Sequence, residues 1–350
     1  MPMEKILLGM SGGVDSSAAA LLLKNQGFSV LGVTLRLRDD VPETADSGDA
    51  ADARQVADLL GIEHRVIDLT DTFRKEVIRY FTAEYSAGRT PNPCVVCNRR
   101  IKFGAMLDLA REFGCSGVAT GHYAAVEQDV ASGRWLLRRS PTAKDQSYML
   151  YSLSQDQLSH AVFPLASYSK TEVRKLAEQA GLPVAQRPDS QEICFVPGDD
   201  YGAFLQQQKG FDPKPGNFVG LNGEILGKHR GIPFYTVGQR KGLGLSFGKP
   251  MYVTKIDAQH NEIVLGPEGS QYTSHLYVSD VNWIPWEIPP QKIPSQVKVR
   301  YQAKPAAAEI TPLTDGRALV EFSQPQRAVT PGQAAVFYDG DLVLGGGTIC

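Results

Sequence analysis

Three cysteines stand in settings that favour sulfur chemistry. Cys94 and Cys97 share a C-x-x-C spacing inside GRTPNPCVVCNRRIKF, Gly88–Phe103, and Cys194 lies in RPDSQEICFVPGDDY, Arg187–Tyr201. Cys97 falls just before an expected helix, with Arg99, Arg100 and Lys102 close behind it. A helix N-terminus and nearby cations favour the thiolate, so the sequence predicts a lowered pKa and a reactive sulfur at Cys97. A C-x-x-C also serves redox exchange or half of a zinc site, but no second pair completes a four-cysteine set. Cys115, after a helix, and Cys350, at the end of the sequence, read as inert.

A second chemistry-bearing stretch is LLGMSGGVDSSAAALLL, Leu7–Leu23. Ser11-Gly12-Gly13-Val14-Asp15-Ser16 falls between an apolar strand and an alanine-rich helix. Glycines bring backbone N–H groups close to an anion, and the helix start adds partial positive charge. No Lys-Ser/Thr follows, so this is not a Walker A loop, and Gly-x-Gly-x-x-Gly is absent here. GLGLSFG, Gly242–Gly248, matches that fingerprint only loosely and lies in β-type sequence. A plain βα turn capped by Ser and Asp explains an isolated Gly-Gly. Here, however, SGGVDS resembles the pyrophosphate loop of the N-type ATP pyrophosphatases. That resemblance implies ATP split to AMP and pyrophosphate, and a substrate activated by adenylation. Gly9, Met10, Ser11, Gly12, Gly13, Val14, Asp15 and Ser16 would hold the phosphates, with Mg2+ offsetting their charge near Asp15.

The elements that must position these residues alternate in period. Lys5–Met10, Ser29–Leu35, His64–Leu69 and Gly117–Thr120 read as strands. Ser16–Asn25, Ala51–Leu60, Thr72–Tyr85 and Asn98–Phe113 read as helices, three of them closed by Gly27, Gly61 and Gly114. This predicts an α/β fold with a doubly wound parallel sheet. From about Phe195 helical periods fade and short alternating runs take over: NFVG, PFYTVG, PMYVTKID, NEIVLG, then LYVSDVNWI, SQVKVRYQ, AEITPL, RALVEF and QAAVFYDGDLVLGGG. These predict a small β-rich domain and a C-terminal β-barrel. We therefore expect an adenylating domain over 1–195, a β-rich connector over 196–272 and a barrel over 273–350. Val41–Gly48 and the segment Pro188–Pro197 read as loops, the latter able to carry Cys194.

With 350 residues and 42 % hydrophobic content, the chain can build two or three cores. Its net charge of −2 neither implies nor excludes an RNA partner. No apolar run reaches membrane-spanning length, and MPMEKILLGM lacks the basic start of a signal peptide, so a cytoplasmic protein without membrane contact is expected. Between Glu224 and Asp257 the charged residues are all basic: Lys228, Arg230, Arg240, Lys241, Lys249 and Lys255. Lys292, Lys298, Arg300 and Lys304 follow further on. Such runs are usually solvated faces but also suit phosphate contact, with Tyr235 and Tyr301 available to stack on bases.

Along nearly its whole length the chain resembles the bacterial tRNA-specific 2-thiouridylase family. The likeness is carried by GMSGGVDSS, GRTPNPCVVCNRRIKF, ATGHYA, KDQSYML, PDSQEICFV, GNFVGLNGEILGKHRGIPFYTVGQRKGLGL, KVRYQ and TPGQAAVFY. It implies that ATP adenylates the 2-carbonyl oxygen of the wobble uridine, in tRNAs for Lys, Glu and Gln, and that a persulfide sulfur on Cys194 replaces it. Cys97 would attack the persulfide, leaving a Cys97–Cys194 disulfide for an external thiol to reduce. The two Cα atoms must then come within about 7 Å. Partners implied are tRNA, a persulfide donor such as a cysteine desulfurase or sulfur-relay protein, and a reductant. Asn92, Pro93 and Cys94 would frame the target base. His122, Lys144, Asp145, Gln146, Arg300, Tyr301 and Gln333 would touch tRNA, and Leu35 and Gly121 would border the adenosine. The family often has Met at the position of Leu35, and some members have Asp at that of Cys94. Cys94, Cys97 and Cys194 could instead hold a [4Fe–4S] cluster, as in related thiolases. Rival readings are an adenylating ligase with a small-molecule substrate and a non-catalytic tRNA-binding module.

Overall fold

The computed structural model describes residues 3–39, 48–188 and 193–350. The loop expected at Val41–Gly48 lies outside them except for Gly48, as does 189–192 of the Cys194 segment.

The N-terminal strands are β1 (Lys5–Gly9), β2 (Ser29–Arg36), β3 (Glu63–Asp68) and β4 (Gly117–Ala119). After a hairpin of β5 (Ala124–Gln128) and β6 (Trp135–Arg139) comes β7 (Ala161–Val162). Strands β3-β2-β1-β4-β7 form a parallel sheet in that order. Ile6, Leu7 and Leu8 of β1 are buried, as a strand covered on both faces requires. The helix Val14–Asn25 packs on it through Ala18, Ala19, Ala20 and Leu23, small residues that admit a close approach. The chain winds outward from β1 to β3, then returns on the other side of β1 with β4. The crossovers diverge there and open a crevice at the strand C-termini, the usual ligand position in such sheets.

A middle sheet follows, with β8 (Gly216–Val219), β9 (Ile225–His229), β10 (Met251–Asp257) and β11 (Glu262–Pro267) in the order β10-β11-β8-β9. PFYTVG, expected as a strand, is not one. Its start is a 3-10 turn, Ile232–Phe234, because Pro233 cannot donate to a ladder and its neighbours bury their side chains in the middle core. Helical structure also persists further than expected, in Tyr201–Gln206, whose N-cap Asp200 accepts from the Ala203 amide at 2.9 Å.

The last six strands are β12 (Tyr272–Trp283), β13 (Ile293–Lys298), β14 (Ala306–Pro312), β15 (Ala318–Arg327), β16 (Ala334–Asp339) and β17 (Leu342–Ile349). They close into a barrel by pairing β12 with β17. The β5–β6 hairpin, which the sequence did not announce, extends this sheet through Leu342 opposite Arg138 and Val343 opposite Leu137. One core therefore runs from Leu7 and Val118 of the parallel sheet to Tyr338 and Val343 of the barrel. Polar ties reinforce it: Tyr148 Oη donates to Ala334 O at 2.8 Å, and Asn282 Nδ2 donates to Tyr151 O at 2.7 Å and Leu153 O at 2.9 Å. Asn282→Ala leaves two carbonyls at this junction unpaired and is expected to cost about 1–3 kcal/mol, read as a lowered urea midpoint.

Candidate active site

The turn after β1 is preformed. Gly12 has φ +68°, and a Cβ there would stand 2.4 Å from Asp49 O, so only glycine fits. Gly13 is the N-cap of Val14–Asn25 and offers no side-chain cap, which leaves the first-turn amides to an anion. The Ser16 and Ser17 hydroxyls donate to Gly13 O at 3.1 and 2.9 Å, and Ser16 Oγ accepts from Ser11 N at 3.2 Å. Met10 and Val14 are buried beneath the turn. Gly121, just beyond β4, lies against it: a Cβ would come within 2.8 Å of Asp15 C and Ser16 N.

Asp15 is held from two sides. Tyr123 Oη donates to its Oδ1 at 2.6 Å, and Lys170 Nζ donates to Oδ1 and Oδ2 at 2.7 and 2.8 Å. Arg187 donates to Gly12 O at 2.9 Å and pairs with Asp49 and Asp52. Reasoning from sequence missed Tyr123, Lys170 and Arg187. The one local signal was Ser169-x-x-Glu172, a capping box that starts the helix Lys170–Gln179 and so fixes Lys170 at its first position.

Cys97 does not precede its helix. A continuous helical segment, 93–112, begins at Pro93, with Asn92 as N-cap accepting from Val95 N at 3.4 Å. Asn-Pro at this spacing is a helix-start signal that outranks the later periodicity. Cys97 is thus inside the segment and buried, and the next turns, Asn98–Ala105, are π-wound. The expected lowering of its pKa is also reversed. Burial pushes the Cys97 thiol up to about 12, and the Lys102 charge offsets this only in part. The pocket is apolar, built from Phe73, Val77, Phe81, Ile101 and Phe195.

Phe195 brings Cys194 to the same place. Its ring meets Phe73, Phe81 and Phe204 edge-on at 5.6, 5.2 and 5.3 Å, and Arg38 Nη1 donates to Cys194 O at 2.9 Å. Cys94 and Cys194 reach solvent, yet enough protein surrounds each to raise its pKa as well. The Cys194 charge acts on both Cys94 and Cys97, and all three thiols are free. Leu35, at the end of β2, packs against both this cluster and the core under the sheet.

Around these thiols stands a polar and aromatic rim. Asn92 Nδ2 lies 3.7 Å from Met149 Sδ, and Asn98 Nδ2 donates to Met149 O at 3.0 Å. Tyr301 Oη donates to Asp145 O at 3.3 Å, and its ring lies 5.8 Å from that of Tyr148, with the Lys298 ammonium 5.5 Å from each. Asp145 accepts from Arg139 Nε, Ser140 N and Ser147 N, and Gln146 Oε1 accepts from Tyr123 N at 3.1 Å. Lys144 and Arg300 are exposed. His122 is buried, with Nδ1 2.7 Å from Thr120 Oγ1; burial and Lys102 hold it neutral. Gln333 Nε2 donates to Thr90 O at 3.0 Å and Pro91 O at 3.1 Å, fastening the approach to the cysteine helix. Tyr235 is not available for stacking: it is buried in the middle core, its ring 5.2 Å from that of Phe218.

Residues 4–198 match the family described as tRNA methyl transferase HUP domain, 202–267 the tRNA methyl transferase PRC-barrel domain, and 273–349 the aminomethyltransferase beta-barrel domain. A tRNA-specific 2-thiouridylase of Heliobacterium modesticaldum is 51 % identical over 99 % of this chain and 92 % of its own length. Those of Acetivibrio thermocellus and Moorella thermoacetica are 49 % and 50 % identical, covering 100 % of both chains and 98 % of both chains. The chain belongs to the tRNA-specific 2-thiouridylase family. It is an enzyme of the tRNA sulfurtransferase class, with the ATP-using fold of the PP-loop proteins. Among the described residues no three His, Cys, Asp or Glu side chains stand in metal-binding arrangement.

Three outcomes follow from the geometry. At pH 8 iodoacetamide is expected to modify Cys194 at least about tenfold faster than the buried, neutral Cys97, as followed by peptide mass spectrometry. The raised Cys97 pKa also contributes stability that is complete below the ordinary value of 9.0 and is lost as pH rises through about 12, so alkaline unfolding should ease across that interval. Gln333→Ala should lower the thiolation rate roughly tenfold by loosening Thr90–Pro91, with tRNA affinity nearly unchanged in a gel-shift assay.

Proposed function

We propose that the protein 2-thiolates the wobble uridine of tRNA, in isoacceptors for Lys, Glu and Gln, driven by ATP. The observation that supports this most is the shared aromatic cluster: Cys97 and the Cys194 segment pack on it, and Leu35 ties it to the core that contains Leu7 of β1, the strand that runs into the pyrophosphate loop. Methyl transfer, named in two of the domain descriptions, has no use for either the loop or the thiols.

In this reading Gly9–Ser16 hold the phosphates of Mg·ATP, with Leu35 and Gly121 beside the adenosine. Asp15, oriented by Lys170 and Tyr123, would face the magnesium that accompanies ATP. Asn92, Pro93 and Cys94 frame the flipped base, as an RNA reader of a loop base requires. Lys144, Asp145, Gln146, Arg300 and Tyr301 line the approach of the tRNA, and His122 forms a neutral wall behind it. Uridine O2 attacks the α-phosphate, forming an O–P bond and releasing pyrophosphate. The terminal sulfur of a Cys194 persulfide, loaded by a donor protein, then adds to C2 and expels AMP. Cys97 Sγ, after losing its proton, attacks Cys194 Sγ. The S–S bond breaks, the 2-thiouridine departs, and a Cys97–Cys194 disulfide remains for a two-electron thiol reductant. A Cys97 that stays protonated until substrate arrives does not discharge the persulfide early. We place the domain boundaries near 195 and 272 and the protein in the cytoplasm; among the described residues no helix is long and apolar enough to cross a membrane.

The test is nucleoside mass spectrometry of unmodified tRNA incubated with Mg·ATP, a persulfide donor and a thiol. The parent should form 2-thiouridine at the wobble position. Cys194→Ser should form none while still releasing pyrophosphate on addition of tRNA. Undiminished thiolation by Cys194→Ser rules out Cys194 as carrier, and pyrophosphate release that ignores tRNA points to a small-molecule ligase.

A further inference from the structure

Three basic residues follow Cys97 in sequence, and the structure separates them. Arg99 and Arg100 are exposed, and Arg100 lies 4.0 Å from Glu76. Lys102 is half buried and, among the described residues, forms no ion pair with a carboxylate. It sits in the π-wound stretch Asn98–Ala105, where hydrogen bonds span five residues, so it lies one wide turn beyond Cys97. The next residue, Phe103, packs its ring 6.2 Å from that of His122. Ordinary α-winding would rotate position 102 away from Cys97; the wider turn returns it to the cysteine face.

We propose that Lys102 is the resident counter-cation of the sulfur pocket, the positioning charge that offsets the anionic sulfur formed there. The proposal rests on the sulfur-transfer reading of this site and names a residue for which that reading has no role. Its ammonium acts on Cys94, Cys97, Cys194 and His122 together, whereas Arg38 acts on Cys194 alone of these four. The physical logic is mutual. An unpaired ammonium in a half-buried position is costly, and so is a sulfur anion beside Phe73, Phe81 and Phe195. Each cost falls when both charges are present. A persulfide ionises more readily than a thiol, so loading sulfur onto Cys194 supplies the charge that Lys102 lacks. His122 adds no competing charge, because the same ammonium and its burial keep it neutral.

The test uses the full chain with Lys102→Met, which keeps the apolar stem, and Lys102→Arg, which keeps the charge. The rate of Cys194 alkylation by iodoacetamide is followed on its peptide from about pH 7 to 10, with thermal melting as a fold control. Lys102→Met should slow alkylation at pH 8 roughly three- to tenfold and move the profile to higher pH, with the remaining groups facing Cys194 (Arg38, Cys94 and Cys97) unaltered. Lys102→Arg should restore the parent rate to within about twofold. If Lys102→Met melts early, Lys102→Gln replaces it in the same comparison. An unchanged profile in a folded neutral variant overturns the proposal, and so does a failure of arginine to restore the rate. Alkylation needs neither tRNA nor sulfur donor, so the outcome is read apart from the wobble-uridine assay. A Lys102 effect in a protein that never thiolates tRNA would sink the sulfur-transfer reading alone.

Discussion

A sulfur atom in an apolar pocket resists ionisation, and the arrangement around Cys97 follows from that resistance. The pocket raises the thiol to about 12. An aromatic cluster strong enough to do this also has to be anchored, and Phe195 supplies part of the anchor while delivering Cys194. The consequence is a thiol stored in its unreactive form beside a second thiol that reaches solvent. Reactivity is then governed by what enters the pocket and not by the resting protein.

The cysteine helix is held by parts of the chain far from it in sequence. Thr90 N donates to Pro331 O at 2.8 Å, and Gln333 returns two bonds to Thr90 and Pro91. Thr90 Oγ1 also bonds Thr236 Oγ1 of the middle domain at 3.2 Å. Three domains thus meet on the four residues before Pro93. The phosphate loop is set from the opposite direction, by Gly121 against its backbone and by Lys170 and Arg187 on its flanks. Leu35 packs both on the aromatic cluster around Cys97 and on the core that contains Leu7 of β1.

Much of this was legible in the sequence. The alternation of buried strands and helices gave the parallel sheet, and SGGVDS gave the turn, because both depend on local pattern. Short alternating runs announced the barrel for the same reason. The state of Cys97 was not legible: counting nearby cations ignores how many apolar side chains arrive from residues 73–81 and 195. Tyr235 failed similarly, since an aromatic residue among basic ones looks exposed until Phe218 covers it. Lys170 has only the Ser169–Glu172 capping box to mark it, which gives its helical position and not its role, and the partners of Lys170 and Arg187 are more than 130 residues away.

Strand β17 is shared along its length. Its first residues pair with β6 from the nucleotide-binding half, and its later ones with β12 to seal the cylinder. A C-terminal fragment cut free at the apparent linker would carry an unpaired flank at Leu342 and Val343, a ready seed for intermolecular strand addition. The barrel is therefore no detachable accessory. Any recombination event that traded it between lineages would have had to bring along a compatible hairpin from the middle of the catalytic half.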